Sequence, residues 1–436
     1  MLRRSTIARW PRLGHWGRPV TDPTSTPASA RDLLGQRNYL LFWVSRWTGG
    51  LGVQIQSVAM GWQVYDLSRQ ARLDINAASF NVSLIGLITF APLFFLALPA
   101  GMAADRYDRK RIMLICYLGE LAPAAILAAA EMLHFASVPL LLGVALIFGT
   151  SRAFLQPAST ALGPMLVPRL LLPRAIAWNS LAGQFASIIG PAIAGVLIAL
   201  APAAAFEGAF VLYLGAVVCL SLIGGTTRPQ AQPGSRWALV KEGLAYVWTN
   251  KIVVGAISLD LAAVILGGAT ALLPAFARDV LHVGPQGFGL LRSAPAAGAA
   301  VVAIFLSIHP MRSRAGLRMF IAVAVYALAT IVFGLSRATW LSIGAMAALG
   351  AADMFSVYVR QTLVQLVTPD AMRGRVAAVS TLFISASNEL GEFRGGLVAR
   401  FIGPINAVVY GGFGALIVTG LWARLFPALR TADRLE

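Results

Sequence analysis

Long apolar runs alternate with short polar stretches along almost the whole chain. They fall at about residues 39–65, 79–104, 111–133, 138–166, 174–201 and 206–225. After a polar interval they resume at about 251–277, 286–308, 315–336, 339–367, 373–402 and 405–427. About 20 apolar residues are enough to cross a bilayer as a helix. Only helices and closed barrels satisfy their backbone in lipid, and runs this long and this continuously apolar are helices. The pattern predicts an all-α membrane protein of twelve transmembrane helices. Its expected organisation is a basic cytoplasmic tail (1–37), a six-helix bundle (38–225), a cytoplasmic linker (226–250), a second six-helix bundle (251–428) and a short cytoplasmic tail (429–436).

The two halves repeat one another. Residues 149–195 align without a gap to residues 350–396 at an offset of 201. The alignment pairs Gly149 with Gly350, Leu162 with Leu363, Pro168 with Pro369, Arg174 with Arg375, Leu181 with Leu382, Gly190 with Gly391 and Gly195 with Gly396. Paired glycine, proline and arginine in one register make helices 4–5 the counterparts of helices 10–11. The bundles are thus expected to be pseudo-symmetric, related by an axis along the membrane normal as in the major facilitator fold.

Composition agrees with immersion in lipid: 58% of residues are hydrophobic and 12% charged, against about 25% charged in soluble domains. The formal net charge of +17 is not a nucleic-acid signature, because its distribution follows the membrane. Alternate segments hold 25 of the 35 basic residues, the intervening ones five (Arg69, Arg72, Arg278, Arg337 and Arg400), and the helices themselves the other five. By the positive-inside rule both termini are cytoplasmic. No apolar core follows the early arginines, so the first 37 residues read as a tail rather than a secretory signal. Only three basic residues are lysine, and the excess of arginine and alanine points to a GC-rich bacterial genome; the expected location is the bacterial cytoplasmic (inner) membrane. Cys116 and Cys219 both lie in apolar runs and read as buried thiols.

Loop 2–3 reads Gly101-Met-Ala-Ala-Asp105-Arg106-Tyr-Asp108-Arg109-Lys110-Arg111. This resembles the loop motif of the major facilitator superfamily, with Asp108 at the place of its second glycine. Gly101 permits close helix approach. Asp105, at a helix end, can engage an arginine or a helix N-terminus, a clasp expected to hold in one access state and break in the other. Helix 5 carries Gly190, Pro191 and Gly195, which resemble the Gly-Pro motif of the superfamily's exporters; proline bends a helix and the glycines allow tight packing. The stretch containing Gly350, Asp353, Val357, Arg360, Gln361, Gln365, Thr368-Pro369-Asp370, Arg373-Gly374-Arg375-Val376 and Ser387-Asn388-Glu389-Leu390-Gly391-Glu392-Phe393 is similar to the enterobactin-exporter-like branch. So is Trp62-Gln63-Val64-Tyr65-Asp66. One departure is plain: Arg394-Gly395-Gly396 stands where that branch has Glu-Ser-Gly.

Ionisable residues inside the membrane are costly and read as functional. Those away from helix ends are Arg46, Glu120, Arg152, Asp260, Arg292, Asp353, Arg360, Glu389, Glu392 and Arg394. The resemblance implies a central cavity lined by helices 1, 4, 7 and 10. That makes Arg46, Arg152, Asp260, Asp353 and Arg360 candidate substrate residues. At 1.5 Å per residue, Asp353 and Glu389 lie roughly 21–24 Å from loop 10–11, near mid-membrane. Asp353 is expected to face its repeat partner Arg152. Glu389 and Glu392, three residues apart, share a face. With Asp353 they are the proton-coupling candidates, and Arg394 is expected to bias which of them holds the proton.

No phosphate-binding loop, metal-ligand spacing or paired catalytic motif is present in the sequence. The expectation is therefore a transporter rather than an enzyme, with neither cofactor nor metal. The resemblance implies a proton-coupled exporter of a siderophore or a similar amphipathic or anionic small molecule. It would work as a monomer in the bilayer on the proton gradient, with no nucleic-acid partner. Macrolide-like drug efflux, lysophospholipid movement between leaflets and a non-transporting receptor or scaffold are the alternatives.

Overall fold

The structure is a computed structural model, and it describes residues 30–225, 227, 236–309, 311 and 314–430. Most of the basic N-terminal tail, residues 226 and 228–235 of the linker and the last six residues lie outside the described residues.

Twelve long helical segments are numbered here α1 to α12. The first six are α1 (Arg37–Gln70), α2 (Ile75–Phe95, continued by Ala97–Arg106), α3 (Arg109–Met132), α4 (Val138–Leu162), α5 (Leu172–Leu200) and α6 (Pro202–Ser221). The second six are α7 (Lys251–Gly267, continued irregularly to Val280), α8 (Gly284–Ile308), α9 (Ala315–Leu335), α10 (Thr339–Val367), α11 (Asp370–Ile402) and α12 (Pro404–Leu425). Ten of these are apolar enough to cross a membrane by length and composition alone. The other two are α1, diluted by Gln54, Gln56 and Gln63, and α11, which carries seven charged residues. Both pack on several other helices, which lets their polar groups meet protein rather than lipid.

Within the first half α1 packs on α5 and α6, and α3 on α4 and α6. Within the second, α7 packs on α11 and α12, and α9 on α10 and α12. The halves meet chiefly along α2 against α11 and α5 against α8. The repeat glycines make equivalent contacts in the two halves. A Cβ at Gly149 would lie 2.7 Å from the Thr89 carbonyl of α2, and one at Gly350 would collide with the Pro295 carbonyl of α8. Gly195 and Gly396 both sit on the bundle interface, against Pro285 and Gly289 of α8 and against Ser83 of α2 respectively. Such small residues let membrane helices approach backbone to backbone.

Three features depart from uninterrupted helices. The second segment breaks at Leu96, just past Pro92. The seventh stops at Gly267, where α11 crosses so closely that a Cβ at Gly268 would lie 2.7 Å from the Gly391 carbonyl. The linker, expected as a polar stretch, contains a helix (Arg236–Thr249). That helix lies against α11, with Glu242 paired to Arg375 and the Tyr246 hydroxyl donating to the Val367 carbonyl at 2.9 Å.

One end of the bundle interface is latched by charge. Asp66 of α1 pairs with Arg278 in the irregular continuation of α7. Arg69 lies 3.4 Å from Asp279, and the Tyr65 hydroxyl donates to Asp279 as well. Asp74 caps α2 by accepting from the Ala77 amide at 2.9 Å, and it also faces Arg400 of α11 at 3.6 Å. Trp62 packs on Phe288 with ring centroids 5.6 Å apart. The Trp62–Asp66 motif is therefore a contact between bundles.

Candidate functional site

A cavity of about 450 Å³ lies between the bundles about midway along the helices, lined by both. Five charged side chains reach it: Arg152 of α4, Arg292 of α8, Asp353 of α10, and Glu389 and Glu392 of α11. Their pairings run through α11. Arg152 lies 3.6 Å from Glu389, which also accepts from the Thr89 hydroxyl of α2 at 3.1 Å. Arg292 lies 3.4 Å from Glu392. Arg152 also stands over the Phe148 ring, 5.6 Å from its centroid. The Arg152–Glu389 pair crosses from one bundle to the other and is the polar seam of the cavity.

Asp353 lines the same cavity as Arg152 but does not pair with it in this structure. It makes no ion pair or side-chain hydrogen bond among the described residues. Its neighbours are instead the buried pair Asp260–Arg360, 3.3 Å apart, with Tyr326 and Ser356 around a gap of about 10 Å³ behind it. The physical reason is competition for the guanidinium: Glu389 of α11 takes Arg152, while Asp353 borders the Asp260 side of its own bundle.

Of the five residues expected on the cavity wall, Arg152 and Asp353 are there. Asp260 and Arg360 lie behind the wall, Arg360 only 1% exposed. Arg46 is elsewhere too. It lies seven residues, about 10 Å, before Val53, the first cavity residue of α1. There it donates to Ser159 at 3.0 Å and Asn179 at 3.3 Å, tying α1 to α4 and α5.

Arg394 does not reach Glu389 or Glu392. It donates to the Leu266 carbonyl at 2.6 Å. That carbonyl lies in the last turn of α7, where a helix leaves its acceptors unpaired. Arg394 therefore caps the break in α7.

Two participants were less visible in the sequence. Arg292 stood out only as an intramembrane charge, and Thr89 carried no signal. Glu120 of α3 is fully buried inside the first bundle, with neither carboxylate oxygen hydrogen-bonded.

The loop motif is built into the first half. Arg109 donates to the Ala104 carbonyl at 3.1 Å and the Ala161 carbonyl at 3.2 Å. Lys110 donates to the Ser221 and Ile223 carbonyls at the end of α6. Asp108 is the N-cap of α3, accepting from the Lys110 and Arg111 amides and from the Thr227 hydroxyl. Its φ of −62° needs no glycine. Burial works against the Asp108 carboxylate, but the hydrogen bonds and the nearby Arg111 outweigh it and hold the group below its ordinary range. Gly101 is buried, while Asp105 and Arg106 are exposed at the end of the second segment. Gly190 packs on Gln54 of α1, and Pro191 lies on the cavity wall beside the close contact of Gly195 with α8.

The family described as transmembrane secretion effector matches residues 28–435. The enterobactin exporter EntS of Citrobacter koseri is 28% identical over 368 residues, 81% of this chain and 85% of that protein. Among solved structures, a D-xylose-proton symporter superposes with a TM-score of 0.68 at 14% identity, covering 90% of this chain and 98% of that one. The inward open conformation of the xylose transporter XylE from E. coli gives 0.63 at 13%, covering 88% and 96%. These two likenesses speak to the fold alone. The match over nearly the whole length, on a fold of this kind, means that the chain belongs to the transmembrane secretion effector family of major facilitator transporters.

Proposed function

We propose that the protein is a secondary active exporter of a siderophore or a similar amphipathic, anionic small molecule, energised by the proton-motive force. The observation that carries this reading is the cavity itself. Two arginines and three carboxylates face a space between two bundles, at the depth where a rocking transporter holds its substrate. The likeness to enterobactin exporters supports the substrate class and the direction. Asp353, Glu389 and Glu392 are the proton-binding groups, and Arg152 is the substrate contact. Asp260 and Arg360 support Asp353 from behind. Asp105, with Arg106, Arg109, Lys110 and Arg111, belongs to the loop that distinguishes access states, and Gly190, Pro191 and Gly195 to the α5 surface on which the bundles rock.

Both termini are cytoplasmic in this reading, supported by the asymmetry of 25 basic residues against five, and the protein works as a monomer in a bacterial inner membrane. The latched end then faces outward. A second reading, efflux of a cationic macrolide-like drug, draws on Asp353, a cavity carboxylate without an ion pair among the described residues. Reconstitution tests both. Enterobactin carried out of proteoliposomes faster than from protein-free vesicles supports the first reading. Carriage of erythromycin but not enterobactin supports the second.

A further inference from the structure

Arg152 and Arg292 approach the cavity from different bundles, and one helix answers both. α11 sends Glu389 to Arg152 and, one turn on, Glu392 to Arg292. These pairings are loose. Their N···O separations of 3.6 and 3.4 Å exceed the roughly 2.7–2.9 Å of a tight charge-assisted bond. The four side chains keep between 16% and 37% of their surface. A guanidinium has five N–H donors, so each arginine has donors left for a cavity ligand.

We propose that Arg152 and Arg292 form a two-arginine anion site in which Glu389 and Glu392 act as place-holders, and that its ligand carries two anionic oxygen groups on one body. The ligand displaces both carboxylates and bridges Arg152 to Arg292, drawing the two bundles together. This rests on the exporter reading and names the substrate class within it. Arginine suits the task because its planar fork meets paired oxygens bidentately.

Among the described residues the surroundings leave the glutamates no other cation. The membrane stretches of α2 and α5 carry no charge. α10 contributes Asp353, and Glu120 of α3 lies buried behind the wall. On α7, Asp260 faces Arg360, and Arg394 of α11 is held by the Leu266 carbonyl. Arg424 lies at the end of α12 away from the latch, and the charged positions of the linker helix, Arg236, Lys241 and Glu242, belong to the same end, where Glu242 pairs with Arg375 at the start of α11. A displaced glutamate is therefore left facing carboxylates and the bound anion, and a proton neutralises it. Proton and dianion binding then support each other, as linked ligands must reciprocally. A loaded site holding one such proton carries one net negative charge more than the resting pairings. The electrical component of the proton-motive force, rather than its pH component, then favours export.

The test uses the full chain in lipid nanodiscs, with isophthalate and benzoate as dianion and monoanion probes and enterobactin beside them. Between pH 6 and 8 isophthalate is expected to bind at least about tenfold more tightly than benzoate, one charge-assisted bond being worth about that factor. Its affinity is expected to fall as pH rises, by up to about tenfold per unit for each proton taken up. In Glu389→Gln/Glu392→Gln the affinity should lose the larger part of its pH dependence, keeping at most the share that Asp353 carries, and should exceed wild type at pH 8. Arg152→Gln and Arg292→Gln should each reduce isophthalate to the level of benzoate. Equal binding of the two probes, affinity unchanged or rising with pH, or discrimination intact in Arg292→Gln would each overturn the site. The wild-type pH profile decides the matter if an arginine variant does not fold. Enterobactin transported without this isophthalate pattern would remove the two-arginine site and leave the exporter standing; no binding of any of the three anions would remove both.

Discussion

Arg152 of α4 meets Glu389 of α11 at 3.6 Å across the seam between the bundles, rather than Asp353, its partner by sequence repeat. This pair joins the two halves about midway along the helices and is part of what the closed seam rests on. A double-mutant cycle of Arg152→Gln and Glu389→Gln on thermal stability is expected to give a coupling of roughly 0.5–1 kcal/mol, as for partly exposed pairs. Additive losses would mean that the two side chains do not pair in this state.

The latch at the other contact between bundles predicts a change of access. Asp66 and Asp279 each hold an arginine across the interface. Asp66→Asn combined with Asp279→Asn should open that end. The readout is alkylation of a cysteine at Ser57 on the cavity wall, in a background lacking Cys116 and Cys219, by an impermeant maleimide added outside. Labelling should rise severalfold. Labelling as slow as in the unlatched protein's parent would show that these pairs do not hold the end shut.

Asp108 predicts a stability effect with a definite sign. As an N-cap, its replacement by alanine should cost about 1 kcal/mol, and by glycine less. Its carboxyl sits below the ordinary range in the folded chain. Its charge therefore stabilises the fold above the unfolded value of about 3.9, and that contribution is lost as pH falls through the folded value. The melting-temperature gap between wild type and Asp108→Ala should be full at pH 7 and narrow on acidification below about pH 4. A gap that widens in acid would contradict the capping role.

Asp353 makes no ion pair or side-chain hydrogen bond among the described residues, and the proposed coupling role makes it a proton-binding group that substrate need not displace. Asp353→Asn is expected to leave enterobactin affinity within about threefold, less than the loss of one charge-assisted bond, while lowering the number of protons taken up per substrate bound. Calorimetry in buffers of different ionisation enthalpy measures that number. An unchanged proton count would make Asp353 a structural neighbour of Asp260 and Arg360.

Much of the fold is legible in the chain because lipid imposes the rule: each crossing must be a long helix. The repeat register added the pairing of helices, since Gly149 with Gly350 and Gly195 with Gly396 mark equivalent close contacts. The breaks at Leu96 and Gly268 were not legible, because they depend on which helix crosses there. The linker helix was hidden by its mixed polarity. Charge inside the membrane pointed to the helices that carry the site. Periodicity gives the face of one helix but not the rotation of its neighbour, so the partners of Arg152, Asp353 and Arg394 could only be read from the packed structure.

Flux of enterobactin through the purified protein in proteoliposomes, with proton movement recorded alongside, tests the exporter account most directly. Wild type should carry enterobactin down an imposed membrane potential with measurable linked proton movement, and Arg152→Gln should lower the rate at least about tenfold, the worth of one charge-assisted contact. Flux no faster than in protein-free liposomes, or flux with no linked proton movement, would contradict it.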